Sequence, residues 1–200
     1  MDTVDHEKIF RAAWEDQANT TYELPPLDVN QVLADRYELA SPLTFTRTML
    51  WDMETRKARR PDIYIPYVVT GDAQAWGEGD VFVRKSRQRL WLRPEADGLV
   101  LEQTHLDHAN QVVTFIGAAE LPGPTGELLH AGTEQPIFHV EHGTAGTEER
   151  PLNTWRIVHL TEAPDPRFAE VFDRIAADPQ LPGFVEIYIR DVLGIELTRR

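Results

Sequence analysis

The chemistry open to this chain rests mainly on histidine and carboxylate spacing. Six of its seven histidines fall between His105 and His159. If QTHLD and FHVEH are strands, His105 shares a face with Asp107, and His139 shares a face with Glu141, because residues two apart on a strand point the same way. His159 falls on a third strand, on one face with Asn153, Trp155 and Ile157. A carboxylate orients an imidazole, and imidazole titrates near neutrality, so such a pair can move a proton in a cyclisation, dehydration or isomerisation. His105 and Asp107 are the candidate catalytic pair. Imidazoles and carboxylates from neighbouring strands also build metal centres, and here the ligand set would be His105, Asp107, His139, Glu141 and His159. Polar strand ends and satisfied hydrogen bonds explain the same residues more simply, so no metal or other cofactor is assigned.

Other chemistries are excluded by what is missing. The chain has no cysteine, and its only serines, Ser41 and Ser86, lie outside any nucleophile elbow. There is no P-loop, and Gly77-Glu78-Gly79 lacks the rest of a dinucleotide fingerprint. A net charge of −13 disfavours nucleic acid and anionic membranes as partners. No apolar run resembles a signal peptide or a membrane span, which, with the absence of cysteine, reads as cytoplasmic. Between Arg56 and Arg93 nine basic residues face four acidic ones. That local surplus reads first as a solvated strand face that neutralises acidic neighbours, and second as a site for an anionic ligand or carrier.

The elements that would position these residues centre on one hairpin. VFVRKSRQRLWLR and LVLEQTHL flank Asp97-Gly98, the dipeptide suited to a type I′ turn. That turn pairs Arg93 with Glu102 on an exposed face. It puts Leu90, Leu92 and Leu101 with Gln103, His105 and Asp107 on the other face. Leucines that continue into polar groups describe a cavity wall. Leu90, Leu92, Leu101, Gln103, His105 and Trp155 are therefore the expected ligand-binding residues; of the large side chains Trp51, Met53, Tyr64, Tyr67, Trp76, Trp91, Phe115, Phe138, Trp155, Phe184 and Tyr188, most are expected as core and a few as further lining. Replacing His105 and Asp107 together by Ala is expected to weaken binding while leaving the fold intact.

Around the hairpin the pattern predicts a helix over 4–17, an extended linker over 21–30, and a short helix capped by Asp28 through Arg36. LTFTRTMLWDM reads as a strand, with a helix over 48–59 as the alternative, and IYIPYVVT reads as an edge strand that invites a homodimer. Strands follow at 111–119, 136–142 and 153–161. Asp165-Pro166 starts a helix with Phe168, Val171, Phe172 and Ile175 buried, and Phe184–Leu193 forms a second, beyond Pro179 and Pro182-Gly183. The fold class is α+β: a strongly curved antiparallel sheet or β-barrel with short N-terminal helices and a C-terminal helical pair. One domain is expected, with a helical N-terminal extension over 1–40, the sheet or barrel over 41–162 and helices over 163–200.

With that strand succession and its leucine face, the segment from Leu43 to Thr161 resembles the calycin or lipocalin-like barrels, which hold hydrophobic ligands inside; no family motif is matched. A helix-grip fold, with a helix filling a curved sheet, resembles the chain through Phe168 to Leu193, although the prolines break that helix. His105-x-Asp107, His159 and Arg167 also resemble the H-x-D…H…R order of 2-oxoglutarate-dependent iron oxygenases. The first two resemblances imply binding of a hydrophobic or polyaromatic small molecule, with a cofactor-free cyclase, isomerase or dehydratase as the alternative; the third implies a metal-dependent barrel enzyme, ranked behind both. Seventeen arginines against three lysines suggest a GC-rich bacterial genome, and by analogy small proteins of these folds in such bacteria serve secondary metabolism.

Overall fold

The computed structural model describes residues 5–177 and 180–200. Its frame is a seven-stranded antiparallel sheet in the order β1 (Thr20–Asp28), β10 (Pro151–His159), β9 (Phe138–Gly146), β6 (Val112–Ala118), β5 (Asp97–Asp107), β4 (Val81–Arg89), β3 (Val69–Trp76). Among the described residues β1 and β3 are the two edges, so the sheet is open and does not close into a barrel. Two short ribbons lie outside it, β2 (Tyr37–Leu39) with β11 (Leu197–Arg199), and β7 (Glu120–Pro122) with β8 (Leu128–His130).

The β4–β5 hairpin forms in a different register from the one the sequence suggests. Arg89 pairs with Asp97 and Arg84 with Glu102, leaving Leu90–Ala96 as the connection. Asp97 and Gly98 begin β5 instead of forming the turn. Gly98 does not have positive φ, and glycine is needed there because a Cβ would lie 2.6 Å from the Gly132 carbonyl oxygen. The loop is closed by Leu90 N–H to Ala96 O at 3.0 Å and held from outside by Gln135 Oε1, which accepts from Trp91 N–H. The displacement from the expected pairing is an odd number of residues, so every β5 side chain changes face relative to β4. Val100, Glu102, Thr104 and Leu106 point inward, while Leu101, Gln103, His105 and Asp107 point outward.

Cα partners continue these rows across the sheet. Phe82 meets Thr104, Thr104 meets Phe115, Phe115 meets Val140, and Val140 meets Ile157. This inner row packs against α5 (Pro166–Ala177), where Phe168 and Phe172 are fully buried. Each such side chain contributes about 1.5–3 kcal/mol by leaving water. Ile175, expected in the same stripe, is exposed. The outer row is covered near its middle by α1 (His6–Glu15), with Phe10 against Ile116 and Val158.

Three segments differ from the sequence expectation. Residues 47–59 form α3 (Arg47–Arg59), not a strand, because Thr46 Oγ1 caps it by accepting from Met49 N–H at 3.1 Å and Leu50, Met53 and Ala58 make a helical stripe. Ile63 and Tyr64, expected to open the edge strand, belong instead to a helical turn, α4 (Pro61–Tyr64), with Pro61 at its first position. Thr20–Asp28, expected as linker in a helical extension, is edge strand β1. α2 (Val29–Arg36) is capped by the Asp28 carboxylate as expected. α6 (Gly183–Asp191) packs with α3 and α4 over one end of the sheet. No described helix is long and apolar enough to cross a membrane.

Candidate functional site

Between the inner face of the sheet and α3, α5 and α6 lies a cavity of about 1470 Å³. Ordinary small-molecule pockets run to about 300–1,000 Å³, so this one has room for a polycyclic ligand. One wall is aromatic. Trp91, from the β4–β5 loop, lies 5.8 Å from Trp155 and 5.1 Å from Phe172, and Trp155 lies 5.2 Å from Phe172, ring centroid to ring centroid. Tyr67 lies across the start of α6, where a Cβ on Gly183 would come within 2.7 Å of its Cε1. Its ring also lines the cavity, although 49% of the residue is accessible. Burial pushes its phenol pKa upward.

At the inner end of the cavity, α3 and β9 bring together charges that are almost never buried unpaired. Glu54 and Lys57, three residues apart on α3, are 0% and 2% exposed. Lys57 Nζ lies 2.5 Å from Glu54 Oε2 and 2.9 Å from His142 Nδ1. Asn153 Nδ2, from β10, donates to Glu54 Oε1 at 3.0 Å. The ammonium also sits 3.9 Å over the Phe184 ring. A second pair lies alongside on the adjoining strands: Arg84 Nε donates to Glu102 Oε2 at 2.7 Å, and the guanidinium is 3.9 Å over Phe115. Lys57, His142, Asn153, Arg84 and Glu102 all contribute to the cavity lining.

Burial sets the protonation states here. It is the largest influence on Lys57 and outweighs the opposing pull of Glu54, bringing the ammonium down to about 8. Burial, followed by the charges of Lys57 and Arg84, holds His142 well below the ordinary imidazole range, so the ring is neutral at pH 7. An ammonium can only donate, so His142 Nδ1 accepts from Lys57 and its proton sits on Nε2. The ring is stacked 5.7 Å from Trp155, and its remaining 16% exposed side-chain surface borders the cavity. The arrangement can hold a proton donor and a proton acceptor side by side at the end of an apolar chamber.

Of the expected ligand-binding residues, Leu90, Leu92 and Trp155 line this cavity. Leu101, Gln103, His105 and Asp107 are on the opposite face of the sheet. His105 is stacked on His6 at 5.4 Å. Asp107 caps a turn, accepting from Asn110 N–H at 3.0 Å, and this bond first of all holds its carboxyl below the usual range. His139 and Glu141 face outward too. His139 Nδ1 accepts from Gly117 N–H, and Arg156 donates to Glu141. His159 faces inward but is fully buried 3.9 Å from the Phe168 ring, without a hydrogen-bond partner on either nitrogen. The suggested metal set is thus divided between two faces, and among the described residues no three His, Asp or Glu converge on a metal position.

Glu54, Lys57 and His142 were not singled out from the sequence. The signal was the helix alternative over 48–59, which places Glu54 and Lys57 on the stripe of Leu50, Met53 and Ala58. His142 likewise continues the alternation of Phe138 and Val140 on β9.

No protein-family model and no curated protein sequence matches the chain. Solved structures do match in shape. The Zhui aromatase/cyclase from Streptomyces sp. R1128 aligns with a TM-score of 0.51 at 10% identity, over 86% of this chain and 93% of that one. Ara h 8.0201 aligns with a TM-score of 0.50 at 11% identity, over 88% and 99% respectively. The fold is therefore the Bet v1-like helix-grip, and the resemblance to lipocalins and calycins is overturned by these matches and by the open sheet. At such identities the likeness is one of fold alone. In this chain α3 and two C-terminal helices, not one unbroken helix, occupy the grip.

Proposed function

We propose that the cavity binds a hydrophobic, polycyclic aromatic small molecule. The observation that carries this reading is a chamber of about 1470 Å³ whose lining includes Trp91, Trp155, Phe115 and Phe138, with Phe172 packed against the two indoles. Aromatic walls favour flat, polarisable ligands through offset stacking, each such pair adding about 0.5–1.5 kcal/mol beyond area burial. The buried Trp155 Nε1–H makes no hydrogen bond within the protein. One solved chain with this fold is named an aromatase/cyclase, which agrees with a polyaromatic occupant.

A second reading is favoured by the charged end of the cavity. The neutral His142, 2.9 Å from the Lys57 ammonium, supports proton transfer in a cofactor-free cyclisation, isomerisation or dehydration. It replaces the His105–Asp107 pair as the catalytic candidate. Mass spectrometry of the purified protein under native and then denaturing conditions tests the binding reading. A small organic compound released on denaturation, or saturable uptake of an added hydroxyanthraquinone, is the expected result. Failure to retain any polycyclic probe at millimolar concentration would overturn it.

A further inference from the structure

Lys57 presents a primary amine at the end of the cavity and is flanked by two proton acceptors. Glu54 is 2.5 Å away and His142 Nδ1 is 2.9 Å away, and His142 and Lys57 both border the cavity. A proton relay alone needs no amine. A buried amine with a neutral base in contact has the parts of a carbonyl-capturing nucleophile.

We propose that Lys57 captures an aromatic aldehyde or ketone as an iminium, an inference that rests on the cavity being a ligand site. The ammonium gives one proton to His142 Nδ1, and the freed nitrogen lone pair attacks the carbonyl carbon. The carbonyl π pair moves to oxygen, which takes up a proton to give the carbinolamine. The C–O bond then breaks, its electrons leave with oxygen, and the protons shed by nitrogen complete one water molecule. The balance is ammonium plus carbonyl giving iminium plus water, with no oxidant or reductant. Nitrogen carries the positive charge at the start and at the end of the exchange, so Glu54 has a cationic partner in both the resting and the iminium states. The lowered pKa of Lys57 adds to this by raising the share of free amine near neutral pH. Phe184, over which the nitrogen sits, gives the cation an aromatic face before and after reaction.

The chain has only three lysines, Lys8, Lys57 and Lys85, so covalent labelling is easy to assign. The test incubates the full chain with a methoxynaphthaldehyde and cyanoborohydride, maps the reduced adduct by peptide mass spectrometry, and titrates methoxynaphthalene as a carbonyl-free competitor. The expected result is one adduct per chain on Lys57, formed at least about tenfold faster than on Lys8 or Lys85, and suppressed by the competitor. Lys57→Arg, shown to be folded by circular dichroism, is expected to lose that adduct. Binding of methoxynaphthalene with labelling confined to Lys8, Lys85 or the N-terminus overturns the amine's role and leaves the cavity reading standing. Absence of both binding and Lys57 labelling overturns both.

Discussion

Along β9, Glu141 and His142 are neighbours in the chain, yet they belong to different worlds. Glu141 points outward to Arg156, whose side chain is 41% exposed, whereas His142 points inward to Lys57 and Glu54, which are almost fully buried. The same residue types make two clusters on the two faces of one sheet. Outside, water and long flexible arginines share the load, so each contact is weak and replaceable. Inside, each charge depends on one partner, and removing that partner leaves an ion with nowhere to go. Inner contacts are therefore the more costly to break.

Substitutions should separate the faces. Glu54→Ala removes the partner of a buried ammonium and is expected to destabilise the fold by about 3–5 kcal/mol, while Arg87→Ala on the outer face, which loses only a solvent-accessible pair with Asp97, costs about 1 kcal/mol or less. Urea denaturation of both variants measures the difference, and equal losses would remove the distinction.

His159 makes the inner face sensitive to acid. Burial lowers it from 6.5 to about 3, so the unfolded chain binds a proton that the folded one refuses throughout that interval. Stability should therefore fall as pH drops below about 6.5, by about 1.4 kcal/mol per pH unit from this residue, until about pH 3. His159→Phe should flatten that part of the profile in denaturation curves taken from pH 7 to pH 4. An unchanged slope would show that the histidine is not the acid-sensitive group.

Ligand binding should follow the aromatic wall. Trp155→Ala is expected to weaken a polycyclic probe by about tenfold, read by isothermal titration calorimetry. Gly183→Ala should have a smaller effect of the same sign, about two- to fourfold, because the new Cβ must displace the Tyr67 ring from its place 2.7 Å away. His105→Ala combined with Asp107→Ala should change probe affinity by less than about 0.5 kcal/mol, since both lie on the outer face. A large loss in that double variant would restore the original pair as the site.

How far the sequence could reveal this follows from which signals are local. Asp28 and Asp165 were legible as helix starts because a cap is a contact between near neighbours, and the structure shows Gln31 N–H and Arg167 N–H on their carboxylates. The strands at 112–118, 138–146 and 151–159 were legible in outline from β-branched and aromatic runs. The hairpin register was not, because the loop from Leu90 to Ala96 is held by Gln135 and Glu134, more than forty residues away. One wrong turn carried His105, Asp107, Gln103 and Leu101 to the wrong face together. Leu90, Leu92 and Trp155 kept their place in the cavity, the first two because they belong to that loop and Trp155 because β10 does not depend on the hairpin. The charged cluster stayed hidden for a related reason. Glu54 and Lys57 look like an ordinary exposed helix pair until β9 and β10 bring His142 and Asn153 over them.

The most direct measurement is the indole N–H NMR spectrum of the protein during titration with a hydroxyanthraquinone. The chain has five tryptophans. Trp91 and Trp155 line the cavity, while Trp14 packs on Phe10 outside the sheet and the Trp51 indole donates to His108 Nδ1 at 3.1 Å. Saturable shifts at Trp91 and Trp155, with Trp14 and Trp51 unmoved, are the expected result. Shifts at Trp14 or Trp51 with Trp91 and Trp155 unmoved, or no shift at any of the five, would contradict a ligand-binding cavity on the inner face.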